Sequence, residues 1–211
     1  VKNNFTDFVA TDSHRLIKYT RHDVKSDQEF SFIMPKKPLM AIRESLSRND
    51  TIVTVQSNNE NALFSFNNYR LICKLINAKY PNYDAVIPQE NPNKLTIDRN
   101  TILNSIKRAA IYSNQSTYFV RLNLKGQNLT VIAEDTDYSI SALENISCKY
   151  VGEDIQIGFN AKFLTETIAS IDTEEIILES STPNRACLIK MAENEIPEEN
   201  IIALIMPIVL P

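Results

Sequence analysis

Glycine is nearly missing from this chain of 211 residues, which has only Gly126, Gly152 and Gly158, against an average usage of about 7%. Loops that cradle phosphate need clustered glycines so that backbone amides can close on the anion. Neither GxGxxG nor a P-loop pattern occurs, which argues against nucleotide-binding enzymes of both classes. Cysteine is scarce as well. Cys73, Cys148 and Cys187 are widely spaced, odd in number and lack a CxxC pair, so they read as idle or buried thiols. With only His14 and His22 beside them, too few ligands stand at regular spacing to hold a metal. No metal or other cofactor is expected. The longest apolar run, Ile201 to Leu210, is broken by Pro207 and falls short of the roughly 18 residues a membrane helix needs. The start, Val1-Lys2-Asn3-Asn4, has no leader pattern and no initiator methionine, and reads as a cut end.

What is present is unevenly charged. Residues 1–125 carry 18 Lys and Arg against 11 Asp and Glu, a net of +7; residues 126–211 carry 4 against 15, a net of −11. Such a split suggests one surface for a polyanion and another that repels it. Short β-like runs set off by Asn, Asp and Ser dominate: Phe5–Thr11, Leu16–Tyr19, Glu29–Met34, Thr51–Gln56, Ala62–Phe66 and Arg70–Leu75. They resume as Phe119–Leu124, Leu129–Ala133, Tyr138–Ile146, Asp154–Phe159, Ile176–Glu179, Ala186–Met191 and Ile201–Met206. Asn67-Asn68 is a hairpin signal, since Asn tolerates positive φ. Three segments carry the helical period, with apolar stripes Leu39/Ile42/Leu46, Ile102/Ile106/Ala109/Ala110 and Leu164/Ile168/Ile171. Many strands and few helices predict an α+β fold with helices laid on a sheet face.

The pattern repeats. Phe8-Val9-Ala10-Thr11-Asp12 aligns with Val131-Ile132-Ala133-Glu134-Asp135 at an offset of 123, and Pro35 through Leu46 aligns with Asn160 through Ile171 at 125. Thr51-Ile52-Val53 then meets Ile176-Ile177-Leu178 at the same offset of 125. The second copy opens with a helix near Asp98 for which the first has no counterpart. Residues 1–92 therefore read as a domain incomplete at its start, and residues 93–211 as a complete one.

Thr11-Asp12-Ser13-His14-Arg15-Leu16 is the densest polar cluster. A hydrolase would use Ser13 as nucleophile, His14 as base and Asp12 as orienter, but adjacent residues of a strand or turn point in different directions and rarely form a triad. No glycine elbow surrounds Ser13. The wall of a binding pocket suits the cluster better. At the other end, Leu204 to Leu210 is apolar, and Pro207 should end ladder pairing and leave Ile208 to Leu210 exposed. Lys36 and Arg43 share a helix face opposite the Leu39/Ile42/Leu46 stripe, and Arg99, Lys107 and Arg108 lie off the stripe of theirs, as phosphate-facing helices would place them.

Phe8 to Leu16 resembles the VATDGHRL segment of the bacterial β sliding clamp, the processivity subunit of DNA polymerase III. Lys79-Tyr80-Pro81-Asn82-Tyr83 through Pro88 is similar to its FPDY stretch, and Arg108 to Asn114 with Val120-Arg121-Leu122 to its RAAxLSNE and VRL stretches. Gly158-Phe159-Asn160 and Met206-Pro207-Ile208 fit too, so the resemblance spans the chain, from the end of the middle domain through the last. An archaeal or eukaryotic type of ring clamp fits these segments less well. The resemblance implies a DNA-clamp fold of repeated domains, sheets outside and helices lining the hole, and a cytoplasmic, nucleoid-associated, non-catalytic accessory to a polymerase. Two subunits would close head-to-tail as a homodimer around duplex DNA. Lys36, Lys37, Arg43, Lys107 and Arg108 would face the duplex without reading its sequence, and Ile111 and Tyr112 the ring junction. With the opposing domain absent, this chain would remain a monomer.

The resemblance further implies a groove for short Gln/Leu/Phe-type peptides of the polymerase III alpha subunit, the clamp loader and repair polymerases. Its residues would be Thr11, Ser13, His14, Arg15, Leu16, Pro81, Val86, Asn160, Phe163, Leu204, Ile205, Met206, Pro207 and Ile208. The chain departs from the family at Ser13, where glycine is usual, at Ala85, where a basic residue can occur, and at Val209 and Pro211.

Overall fold

The computed structural model describes residues 1–46, 51–193 and 196–209. In chain order the elements are β1 (Thr6–Thr11), β2 (Arg15–Arg21), α1 (Lys36–Ser45), β3 (Thr54–Ser57), β4 (Asn61–Phe66) and β5 (Tyr69–Lys74). After a 3-10 turn at Tyr83–Val86 come β6 (Asn93–Asp98), α2 (Arg99–Ala110), β7 (Phe119–Lys125), β8 (Asn128–Asp135), β9 (Ile140–Ser147), β10 (Lys149–Val151) and β11 (Ile155–Asn160). The chain ends with α3 (Ala161–Ala169), β12 (Glu175–Ser180), β13 (Cys187–Met191) and β14 (Glu199–Ile205). The α+β class is as the sequence reads. The chain forms two compact units, residues 1–3 with 27–82, and residues 4–26 with 83–211.

In the first unit, β3, β4 and β5 form an antiparallel sheet. Alternation along β4 points Ala62, Phe64 and Phe66 inward, where they meet Ile42 of α1 and Cys73. The β4–β5 hairpin turns at Asn67, whose φ of 48° is the left-handed conformation that asparagine tolerates. Pro38 lies in the first turn of α1, where its missing N–H costs nothing. Two expectations are corrected here. Glu29–Met34 forms no strand: by the repeat it corresponds to β11, which pairs with β7, and no counterpart of β7 stands beside it among the described residues. Its backbone makes only isolated bonds, Phe30 N–H to Val1 O at 3.2 Å and Ile76 N–H to Ile33 O at 2.9 Å. The α1 stripe is also incompletely buried, with Ile42 8% but Leu39 48% exposed. In the second unit α2 and α3 cover one another, whereas α1 has no such companion among the described residues.

The second unit holds a four-stranded sheet, β11-β7-β8-β9, and a seven-stranded one, β1-β2-β14-β13-β12-β6-β10. Asp98 caps α2 by accepting from the Thr101 amide at 2.6 Å, and Asn160 caps α3 by accepting from the Phe163 amide at 3.1 Å; each satisfies a donor the helix start leaves free. The inward faces of both sheets and the α2–α3 pair share one core, in which Leu95, Ile106, Leu122, Ile157, Leu164 and Ile176 are fully buried. The β1–β2 hairpin, far from β14 in sequence, completes the large sheet: β2 pairs antiparallel with β14 from Arg15↔Ile205 to Arg21↔Glu199. That pairing builds the site.

Candidate functional site

Where β2 begins and β14 ends, Leu16 stands directly opposite Leu204. Together with Leu188 they form a small apolar cluster, joined by Val9, Tyr83, Ile87, Ala186 and Ile202. Leu16 is 6% and Leu204 4% exposed, so they serve as a rigid base, while Val86 (56%) and Met206 (43%) stand open beside it. The 3-10 turn that carries Val86 is anchored at Tyr83, whose hydroxyl donates to Asp7 Oδ2 at 3.1 Å, and at Asp84, whose Oδ1 is 2.9 Å from Lys18 Nζ. Ile205, expected in the groove, is corrected. It points to the opposite face of β14, is 1% exposed and belongs to the main core, because neighbouring strand residues face opposite ways. Pro81 falls in the other compact unit.

The rim is set by the β1–β2 turn. Thr11 Oγ1 donates to Arg15 O at 2.8 Å, while Asp12 Oδ1 accepts from the amides of His14 at 3.1 Å and Arg15 at 3.0 Å. Arg15 Nε donates to Asp12 Oδ2 at 2.9 Å, its Nη1 lies 2.7 Å from Glu166 Oε2, and its guanidinium sits 4.7 Å over the Phe163 ring. Partial burial pushes the Asp12 carboxyl up, but the Arg15 guanidinium and the two turn amides outweigh it and hold it below the ordinary carboxylate value. The His14 ring stacks on Phe163, centroids 5.4 Å apart. Asp12 is thus committed to Arg15 and to backbone, and among the described residues no hydrogen bond joins Ser13 Oγ to the His14 ring. The geometry does not favour the hydrolase reading.

Ser13 has φ of +74°, a conformation that costs a side-chain-bearing residue about 1–2 kcal/mol. This accounts for the glycine usual in the resembling segment. Ser13→Gly should stabilise the chain by roughly 0.5–1 kcal/mol, since glycine relieves the strain but frees the unfolded chain. Urea unfolding at neutral pH checks this; a midpoint that falls would show the turn is not strained.

Beyond β14 Ile208 and Val209 are exposed, as the sequence reads, but the tail is held by backbone hydrogen bonds. Met206 N–H donates to His14 O at 2.8 Å, and Ile208 N–H donates to Gly158 O at 2.8 Å, so the tail crosses from one sheet to the other. Pro207 does end the ladder. The crossing needs Gly158, where a Cβ would fall 2.4 Å from Phe119 Cε2 and 2.8 Å from Ile208 O. Ile208 is 36% and Val209 75% exposed; Leu210 and Pro211 lie outside the described residues. Sequence reasoning missed Ala186 and Leu188 of the cluster. Their spacing of two was available as a signal, but not which face of β13 they would share.

The charged helix positions separate by unit. Lys36, Lys37 and Arg43 are exposed on α1, and Lys107 on α2. Arg108 is exposed too, but its guanidinium forks onto Glu144, Nε to Oε1 2.8 Å, which offsets its charge. Just past α2, Ile111 is 68% and Tyr112 43% exposed. Strand β9 is the outer strand of the four-stranded sheet. Among the described residues no helix is long and apolar enough to cross a membrane, and no cluster of potential metal ligands occurs.

Antiparallel sheets backed by a helix pair, with an apolar base framed by a polar and aromatic rim, define an α+β protein of the clamp fold. The chain belongs to the DNA polymerase III beta subunit family: the model for that subunit's C-terminal domain matches residues 84–209, and the model for its central domain residues 1–82. It is 26% identical over 92% of its length to the beta sliding clamp of Pseudomonas putida and 27% identical over 92% to that of Haemophilus influenzae. A crystal structure of the DNA polymerase sliding clamp from Pseudomonas aeruginosa superimposes on the whole chain with a TM-score of 0.93 at 26% identity, the chain covering 57% of it. The chain spans about half the length of these curated relatives, 53% and 52%.

Proposed function

We propose that this chain is the partner-docking portion of a sliding clamp, a non-catalytic, cytoplasmic processivity factor that encircles duplex DNA and tethers the replicative polymerase. The pairing of Leu16 with Leu204 under an exposed Val86 and Met206 carries the reading, because it presents apolar surface on a rigid base, as peptide-binding grooves do. Thr11, Ser13, His14, Arg15, Asn160, Phe163, Pro207 and Ile208 frame this surface. Short peptides of the polymerase alpha subunit, clamp loader and repair polymerases would anchor apolar side chains on Val86, Met206 and Ile208, with register fixed by the rim's polar groups. Lys36, Lys37, Arg43, Lys107 and Arg108 meet phosphates without reading bases, Arg108 only in competition with Glu144. In the full-length protein Ile111 and Tyr112 would bury against the next subunit, closing a homodimeric ring. In that reading residues 1–92 belong to a middle clamp domain and residues 93–211 to the last one.

Deleting residues 208–211 tests the groove. It should weaken a Gln/Leu/Phe-type peptide by about 1–3 kcal/mol, the scale of losing one anchoring wall. Calorimetry that returns an unchanged affinity would remove the tail from the site.

A further inference from the structure

Beyond the apolar groove, a cation at its far end has no role in the reading above. The rim runs from His14 along the tail to Ile208, which bonds to Gly158. Gly158 abuts Phe119, and next to Phe119 stands Tyr118. Tyr118 has φ of +50°, rare for a bulky residue and sustained only where surroundings enforce it. Three bonds do so: its amide donates to Asn114 O at 2.8 Å, its carbonyl accepts from the Ala161 amide at 2.7 Å, and Thr117 O accepts from Asn160 Nδ2 at 2.9 Å. The ring so placed lies 3.4 Å from Lys162 Nζ. Lys162 is exposed, in the first turn of α3, where a positive charge gains nothing from the helix dipole.

Two cations of the site, Arg15 and Lys18, are already matched. Arg15 pairs with Asp12 and Glu166, and Lys18 with Asp84 and Asp7, whereas Lys162 forms no ion pair among the described residues. It is also one of only four basic residues between Gly126 and Pro211, against 15 acidic ones. Arg185, exposed and without an ion pair among the described residues, adjoins Ala186 of the apolar cluster and is the cation against which Lys162 is tested.

We propose that Lys162, held over Tyr118, is a specificity site that receives an acidic residue flanking the apolar anchors of a bound partner peptide. This rests on the reading of the Leu16/Leu204 surface as a peptide groove and adds a charge requirement at its Ile208 end. An aspartate or glutamate one to three residues beyond the last anchor would take the ammonium as a partly exposed ion pair, worth about two- to fivefold in affinity. Tyr118 limits the rotamers Lys162 must give up, so less entropy is lost when the pair forms.

The test uses the 211-residue chain and fluorescent peptides that share one Gln/Leu/Phe core, extended at either end with three Asp or three Asn. One Asp-extended peptide should bind about two- to fivefold more tightly than its Asn twin, and the gain should shrink as salt rises from about 0.05 to 0.5 M. Lys162→Met should abolish the gain without changing the Asn peptides, Lys162→Arg should keep it, and Lys162→Glu should invert it. A gain that persists in Lys162→Met assigns the charge to another cation and overturns the proposal, as does equal binding of Asp and Asn peptides at both ends. Loss of duplex DNA binding in Lys162→Met with peptide selectivity intact overturns it in favour of a phosphate contact. If neither peptide binds the unmodified chain, the groove reading itself falls and this one with it.

Discussion

Gly158→Val should detach the tail from the four-stranded sheet. The new Cβ falls 2.4 Å from Phe119 Cε2 and 2.8 Å from Ile208 O, and real Cβ contacts do not come that close, so backbone or ring must move. The Phe119 ring can swing, but the Ile208 carbonyl belongs to a segment tied at both ends, by Met206 to His14 and by Ile208 to Gly158. Overpacking of this kind costs about 1–3 kcal/mol. The expected result has three parts: a lower urea midpoint, faster exchange of the Ile208 amide, and peptide affinity reduced to that of the 208–211 deletion. A variant with a protected Ile208 amide and unchanged affinity would show that the tail takes another path.

Leu204→Ala and Ile205→Ala should separate stability from binding at adjacent positions. Both side chains are buried, 4% and 1% exposed, but they face opposite sides of β14. Ile205 sits in the main core with Ile189, Ala203 and Cys187, a fully closed site, so truncation should cost about 2–5 kcal/mol of folding stability. Peptide affinity of the molecules that remain folded should be nearly unchanged. Leu204 shares its small cluster with Leu16 and Leu188, directly under the proposed groove. Its truncation should cost less stability, because a cluster near the surface can settle around the gap, but should weaken the peptide by about 1–2 kcal/mol as the base under the anchors softens. Unfolding curves paired with peptide titrations decide it; an affinity loss as large for Ile205→Ala as for Leu204→Ala would remove β14 as the divider between core and site.

Local order was legible from local chemistry. Asp98 and Asn160 precede helical periods and cap α2 and α3. Alternation identified β4, β7 and β8, whose inward residues are buried in strict turn. The strand expected at Glu29–Met34 failed for a non-local reason, since a β-like sequence becomes a strand only when another strand offers its ladder. Strand β10 went unread because three residues are too few to show a period, whereas β6 alternates Leu95 and Ile97 with Lys94, Thr96 and Asp98, a signal the sequence did carry.

The site divides in the same way. The Thr11–Leu16 cluster and the Met206–Ile208 tail stood out in the sequence because polar density and a terminal apolar run are compositional facts. That Ser13 needs a left-handed backbone, that Arg15 is neutralised by Asp12 and Glu166, and that the tail docks on Gly158 are features of the tertiary structure alone.

By itself the sequence determined the α+β class, the repeat, the helix starts and the residue types able to frame a docking surface, all of which depend on neighbours a few positions away. Tertiary structure decided that the hairpin β1–β2 joins β14 across more than half the chain, that Leu204 rather than Ile205 faces Leu16, and that Lys162 lies over Tyr118. A period of two tells that neighbouring strand residues face opposite ways but not which face meets which partner. That choice is made when distant strands pair and the entropy of closing the long loop between them is offset by burial on one side of the sheet.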